Sequence, residues 1–299
     1  MKVAVIGCAS DLGVSTDGAY LGCIQLINDI GGFFDGDVSV IKQREGIIKS
    51  RNLSDRRKNI YEVNKLNEEI YKEITKKKEE DVFVITIGGD SSITIPSALS
   101  TAKKHEKIGL IVVSAHADYN TLDSTVSGNI SGISNAAING YKCEELRSFY
   151  DGDIIQASKS VIIGVRDIDE WEKDNIKYSS VNIINQSTLL SQGIIKSIEE
   201  AFEIALTKTK HVHVIFNMDI FDPDISPGVS TPSIDGISEE DGMLILEEIL
   251  KRFEVIEGFD LIEYNSLRDV SRKTEQIAIN ILAKVINKIS ENKNEKFYK

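Results

Sequence analysis

The sequence predicts an α/β fold, a three-layer αβα sandwich with a central parallel sheet, and three observations carry that prediction. Short β-branched apolar runs alternate with longer amphipathic stretches along the whole chain, the rhythm of repeated βαβ units. Runs such as IGLIVVS and VHVIFNM are apolar on both faces, as a strand must be when helices cover both sides of its sheet. No Pro/Ser-rich linker, composition break or internal repeat divides the 299 residues, of which 41% are hydrophobic, so a single domain over 1–299 is expected.

Taken in order, the apolar run Lys2–Gly7 reads as the first strand and the amphipathic stretch Gly18–Asp29 as the helix that follows it. A long helical pattern spans Asp55–Lys78, ending in the charge-dense run KKKEED before strand Val82–Ile87. Helix Ile93–His105 then precedes strand Ile108–Ser114. Strands Ser160–Val165 and Val181–Ile184 come next, followed by helix Ile194–Thr209, strand His211–Met218 and helix Ser238–Arg252. Strand Glu257–Glu263 and helix Arg272–Ile289 complete the pattern, and the final NKNEKFYK reads as a frayed tail.

Net charge is -12 with a pI near 5.0, so long-range repulsion disfavours nucleic acid and anionic membranes as partners, while a small cationic ligand suits the chain. No run approaches the ~20 apolar residues that span a bilayer, and the N-terminus enters a Gly-containing turn instead of a signal-peptide cleavage site, so a cytoplasmic location is expected. Cys8, Cys23 and Cys143 are odd in number and show no CxxC spacing, which predicts reduced, structural thiols.

Ligands of open α/β sheets bind beyond the carboxyl ends of the strands, and four predicted strand ends are unusually rich in small and polar residues. They are Gly88-Gly89-Asp90-Ser91-Ser92, then Ser114-Ala115-His116-Ala117-Asp118-Tyr119-Asn120, then Asn217-Met218-Asp219-Ile220-Phe221-Asp222-Pro223, and finally Asp260-Leu261-Ile262-Glu263. Strand alternation would project Ser114, His116 and Asp118 to one side, and Asn217 with Asp219, so two carboxylates and an imidazole can converge. By itself an HxD pair is more often a satisfied hydrogen-bonded pair than a metal site.

In combination and order, these segments resemble the arginase/agmatinase/formiminoglutamase (ureohydrolase) family, whose corresponding motifs read GGDHS, DAHxD, DxDxxDP with a following PGTGTP-like turn, and a late strand ending in glutamate. The resemblance covers nearly the whole chain and is nearest to arginases, because Ala117-Asp118-Tyr119-Asn120 and Ser127-Gly128-Asn129-Ile130-Ser131-Gly132 are similar to DIN and SGNxHG. It implies that Asn120, Ser127 and Asn129 hold a substrate α-carboxylate. It also implies that Asp169 and Glu172, in a segment similar to RDxDxxE, face the α-amino group, and that Thr231 and Glu263 face the guanidinium. Without the resemblance, Asp167, Asp169 and Glu172 read equally well as a solvated acidic loop. A homotrimer or hexamer is implied by the family alone.

The family implies two manganese ions sharing a bridging hydroxide, held by two His and four Asp. Here three of those six positions carry Ser91, Ser114 and Asn217, leaving His116, Asp118 and Asp219. The position of the family's proton-shuttle histidine carries Ser131. Both bridging carboxylates are among the losses, and a hydroxyl or amide is a poor replacement where anionic oxygen is preferred. The sequence therefore predicts no metal, or at most one weakly held divalent ion on His116 and Asp219. Three readings stand: an arginase-like protein that has lost hydrolysis and binds a cationic amino acid, guanidino compound or amine; an active C–N hydrolase using one weakly held metal; and a non-catalytic oligomeric scaffold or regulatory subunit.

Overall fold

A computed structural model describes residues 2–295 except 51, 53 and 106, with side chains described through 291. Its elements run β1 (Lys2–Ala9), α1 (Ala19–Ile30), β2 (Asp37–Lys42), α2 (Ile60–Glu79), β3 (Val82–Gly88), α3 (Thr94–Lys104), β4 (Gly109–Val113), α4 (Ser134–Ile138), β5 (Ser160–Val165), α5 (Glu170–Ser179), β6 (Asn182–Asn185), α6 (Gln186–Gln192), α7 (Ile194–Ala205), β7 (Val212–Asn217), α8 (Glu239–Leu250), β8 (Ile256–Ile262) and α9 (Lys273–Glu295). The strands form one eight-stranded sheet in the order β2-β1-β3-β8-β7-β4-β5-β6, parallel throughout. The predicted αβα architecture is the observed one.

Alternation along the central strands feeds two cores. In β4, Ile111 and Val113 pack on the α1, α7, α8 and α9 side, while Leu110 and Val112 pack on the α2, α3 and α4 side. In β7, Val214 and Phe216 join the first core and Ile215 the second. Both faces of each central strand are thus covered, which is why their sequences show no hydrophilic face.

Four elements escape the sequence pattern, one of them the five-residue helix α4. Strand β2 is an edge strand paired only with β1, and its residues are half-buried or exposed, so DVSVIK lacks the apolar density of the inner strands. Helix α5 is too polar to show a helical stripe, and α6 is a short piece separated from α7 by Gly193 at φ +90°. The C-terminal helix continues to Glu295, past the predicted end, and residues 296–299 of the predicted tail lie outside the described residues. No helix among the described residues is long and apolar enough to cross a membrane. All three cysteines are free and buried, and burial pushes the Cys23 and Cys143 thiols up to about 12, which makes them poor nucleophiles.

Candidate functional site

The four polar strand ends belong to β3, β8, β7 and β4, which are consecutive neighbours at the centre of the sheet. Their segments therefore meet in one place beyond the carboxyl edge. Gly89 makes the first of them possible: a Cβ there would lie 1.7 Å from the Ser10 carbonyl oxygen. Next to it, Asp90 accepts from Ser92 N (2.9 Å), Gly13 N (3.0 Å) and Ser10 Oγ (3.2 Å), so this fully buried carboxylate organises loops.

At the end of β8, Glu263 sits at φ +69°, a left-handed conformation unusual for a side-chain-bearing residue, with its N–H donating to Gly89 O at 2.8 Å. Ser91 donates to Glu263 Oε1 from both its backbone N (2.7 Å) and its Oγ (3.0 Å). The second carboxylate oxygen, Oε2, is buried with no hydrogen-bond partner. Burial, then the negative charges of Asp90, Asp219 and Asp118, push Glu263 up to about 8.

Strand β4 ends at Val113, so strand alternation does not carry Ser114, His116 and Asp118 to one side. They converge instead through the loop: Asp118 is left-handed at φ +49°, its carbonyl accepting from Asn135 N and Ala136 N. Asp219 is the hub. Its Oδ1 accepts from Ala115 N (2.9 Å) and Ser114 Oγ (3.0 Å), and its Oδ2 lies 2.7 Å from His116 Nδ1. Asn217 Oδ1 accepts from Asp219 N at 2.9 Å, and its Nδ2 donates to Ser114 Oγ at 3.3 Å. The His116 Nε2 lies 3.6 Å from Asp167. Burial works against a charged His116, but Asp219, Asp167 and Asp118 outweigh it and raise its pKa well above the ordinary value. Burial pushes Asp118 up to about 7, with His116 opposing and Asp219 adding to the rise.

The remaining predicted residues lie in the loops after β4 and β7 and at the start of α5. Asp169 caps α5, accepting Glu172 N at 2.9 Å, and its other oxygen accepts Asn120 Nδ2 at 2.7 Å. Glu172 is buried in the first turn of α5, accepts Tyr119 N at 2.7 Å and is pushed by burial up to about 8. This segment is a capped helix start in which Glu172 is buried, while Asp167 and Asp169 are exposed as a solvated acidic stretch would be. Asn120 Oδ1 accepts Ser124 Oγ at 2.8 Å, so both polar ends of its amide are engaged within the chain. Asn129 accepts Ser15 Oγ at 2.7 Å and donates its backbone N–H to Ser127 Oγ at 3.2 Å. Ser131 is buried, while Ser127 and Thr231 are exposed.

Sequence reasoning missed Lys58 and Ser15. Lys58 is buried, and its Nζ donates to Ser127 O (2.5 Å) and Ser15 Oγ (3.4 Å), bringing a cation to the Ser127/Asn129 rim. The available signal was the basic triplet Arg56-Arg57-Lys58 in an acidic chain. Arg166 was read only as part of a motif; its guanidinium donates to Gln186 Oε1 and to the carbonyls of Asp219, Ile220, Phe221, Ser233 and Ile234 at 2.9–3.3 Å. It pins the loop after β7. Arg166→Met is expected to cost about 3 kcal/mol, the scale of one or two charge-assisted hydrogen bonds, read as a lower urea midpoint; an unchanged midpoint would remove Arg166 from that role.

Comparison with known proteins gives a consistent result. The family model described as the arginase family matches residues 1–287. Arginase from Bacillus subtilis (strain 168) is 32% identical over 297 residues, covering 96% of this chain and 98% of that protein. Arginase from Bacillus caldovelox is 28% identical over 295 residues, covering 94% and 96%. The crystal structure of the B. caldovelox arginase superimposes with a TM-score of 0.85 at 27% identity, covering 94% of this chain and 96% of that one. The structure of formimidoylglutamase from B. subtilis, at 18% identity and a TM-score of 0.78, shares the fold.

Proposed function

Since the chain belongs to the arginase family, we propose that it is an arginase-like protein that does not hold the family's pair of manganese ions, is inactive or strongly impaired in arginine hydrolysis, and binds a cationic amino acid in the acidic pocket at the sheet's carboxyl edge. One observation carries this reading. Of the groups standing where the family has metal ligands, Asp219 is bonded to Ser114 and His116, Asn217 to Ser114, and Ser91 to Glu263, the residue facing the guanidinium. A pair of divalent ions needs shared anionic oxygens between them to make a metal-bound hydroxide at neutral pH. Ser114 and Asn217 supply neutral groups at both sharing positions. The fit fails on donor chemistry.

Without four positive charges from two such ions, Asp118 and Glu263, held up to about 7 and about 8 by burial, would ionise against a guanidinium or amine entering the site, while Asp219 is already paired with His116. The orphaned Glu263 Oε2 is the acceptor such a group would satisfy. The Lys58 ammonium beside Ser127 and Asn129 favours a ligand that also carries a carboxylate, so arginine or ornithine over agmatine or putrescine. Thr231, Asp169 and Glu172 belong to the same proposed site, and Ser131 leaves it without an imidazole proton shuttle.

Protein purified without chelator should contain no manganese pair and release no urea from arginine, while calorimetric titration should give heat with arginine or ornithine and less with agmatine. Two manganese ions per chain with turnover would overturn the proposal, and so would silence with every amine. Glu263 also sets a pH dependence. Its folded pKa, about 8, lies above the ordinary 4.5 under burial and the charges of Asp90, Asp219 and Asp118, so its contribution to stability is complete below the unfolded value and is lost as pH rises through 8. The melting temperature of the ligand-free protein should fall by several degrees between pH 6 and 9, with bound arginine restoring part of the loss; Glu263→Gln should make the fall smaller, the rest coming from Glu172 and Asp118, which burial raises too.

A further inference from the structure

Among the described residues, one group of three His, Cys, Asp or Glu side chains has donor atoms all within 4.8 Å of one another, and it lies outside the site above: His105, His211 and Glu257. His105 follows the last residue of α3, His211 directly precedes β7, and Glu257 is the second residue of β8. All three stand at the amino edge of the sheet. His211 is six residues before Asn217, so about 20 Å of strand separates this cluster from the carboxyl-edge pocket.

The three side chains lie close together. The two imidazole rings face each other with centroids 3.8 Å apart and planes 23° apart. His211 Nδ1 lies 2.9 Å from Glu257 Oε1, and His105 Nε2 lies 3.1 Å from Glu257 Oε2. The His105 nitrogen is buried and, despite that distance, makes no properly directed hydrogen bond. A buried ring nitrogen without a directed hydrogen bond is unfavourable, and a cation shared with the carboxylate would resolve it. In a tetrahedral zinc site, bonds of about 2.0–2.2 Å place neighbouring donors about 3.3 Å apart, which the two carboxylate–imidazole pairs nearly match; because the ring planes are nearly parallel, one imidazole turns about its side-chain bonds to bring its in-plane lone pair to the same ion.

The surroundings hold the ligands in place. The Glu257 carbonyl accepts Lys78 Nζ at 2.7 Å, and the His211 carbonyl accepts Gly109 N at 2.9 Å, tying β8 to α2 and β7 to β4. Lys104, the last residue of α3, is engaged with Asp81 at 2.7 Å. Two imidazoles and one carboxylate form a nitrogen-rich set that selects zinc, or another late first-row divalent ion, over manganese, magnesium or calcium. The half-exposed His211 leaves the outer side open to a water as the fourth ligand.

We infer that His105, His211 and Glu257 form a zinc-binding site at the amino edge of the sheet, in which the ion staples the end of α3 to the starts of β7 and β8. Arginase-type chemistry at the other edge plays no part in it.

The test is zinc binding by the full chain. Chelator-treated protein given one to two equivalents of zinc and passed through a desalting column should retain about one zinc per chain and melt several degrees higher, whereas manganese should neither be retained nor raise the melting temperature. His105→Asn and Glu257→Gln should each lose the retained zinc and the added stability, while His116→Asn at the other edge should keep both. Failure of the wild-type protein to retain zinc overturns the site without reference to any variant. Zinc retained equally by His105→Asn and Glu257→Gln but lost by His116→Asn overturns it as well, by placing the ion in the carboxyl-edge pocket.

Discussion

Restoring three side chains together, Ser91→His, Ser114→Asp and Asn217→Asp, is expected to let the chain take up about two manganese ions. Each single replacement should bind none. The present partners give the reason: Ser91 occupies Glu263, and Ser114 with His116 occupies Asp219. Replacing Ser114 by Asp puts a second carboxylate against Asp219, and like charges at that distance repel by kilocalories per mole unless a cation lies between them. The three changes should therefore be strongly cooperative, each one destabilising alone and all three relieved by metal. Urea release should remain low until Ser131→His is added, because a positioned proton-transfer group is worth about 10²–10⁴-fold in rate. Metal content and single-turnover urea release read the two steps separately. If the triple variant folds and still takes up no manganese, the assignment of these positions is wrong.

The second large effect is expected deep in the sheet. His213 and Asp260 lie on neighbouring strands β7 and β8 and are fully buried, with His213 Nε2 3.0 Å from Asp260 Oδ2. Thr101 Oγ1 lies 2.9 Å from His213 Nδ1, and Ser97 Oγ donates to Asp260 Oδ1 at 2.7 Å. Removing one partner of a buried pair strands the other in low dielectric, so His213→Ala should cost about 3–5 kcal/mol, larger than the expected loss for Arg166→Met. Replacing both residues by apolar side chains of similar volume should cost less than the single change, since the penalty lies in the uncompensated carboxylate. A double-mutant cycle in urea decides the matter, and a loss below about 1 kcal/mol for His213→Ala would show that the pair is dispensable.

How legible the site was in the sequence varied with the kind of information each residue carries. Asp90, Ser91, Ser114, His116, Asn217, Asp219 and Glu263 were found because each sits directly after an apolar run, and parallel sheets place such positions along one edge. The route of convergence was not legible: Asp118 and Glu263 adopt left-handed backbone held by contacts with Asn135, Ala136 and Gly89, residues remote in sequence. The role of Lys58 depends on a contact with Ser127 across 69 positions of chain. The edge strand β2 was missed for a related reason, since a strand paired on one side carries little of the apolar signal that burial imposes.

Periodicity and residue type by themselves determined the layer architecture and the strands that bear chemistry, because each follows from local pattern, while resemblance to the arginase family located the positions where Ser91, Ser114 and Asn217 stand. Only the tertiary structure decided which groups replace the missing bonds, where a cation stands at the rim, and that His105, His211 and Glu257 meet at the opposite edge. Those facts depend on strand order and on distances between segments far apart along the chain. Hydrophobic periodicity says which face of an element is buried, and it carries no information about which polar partner waits there.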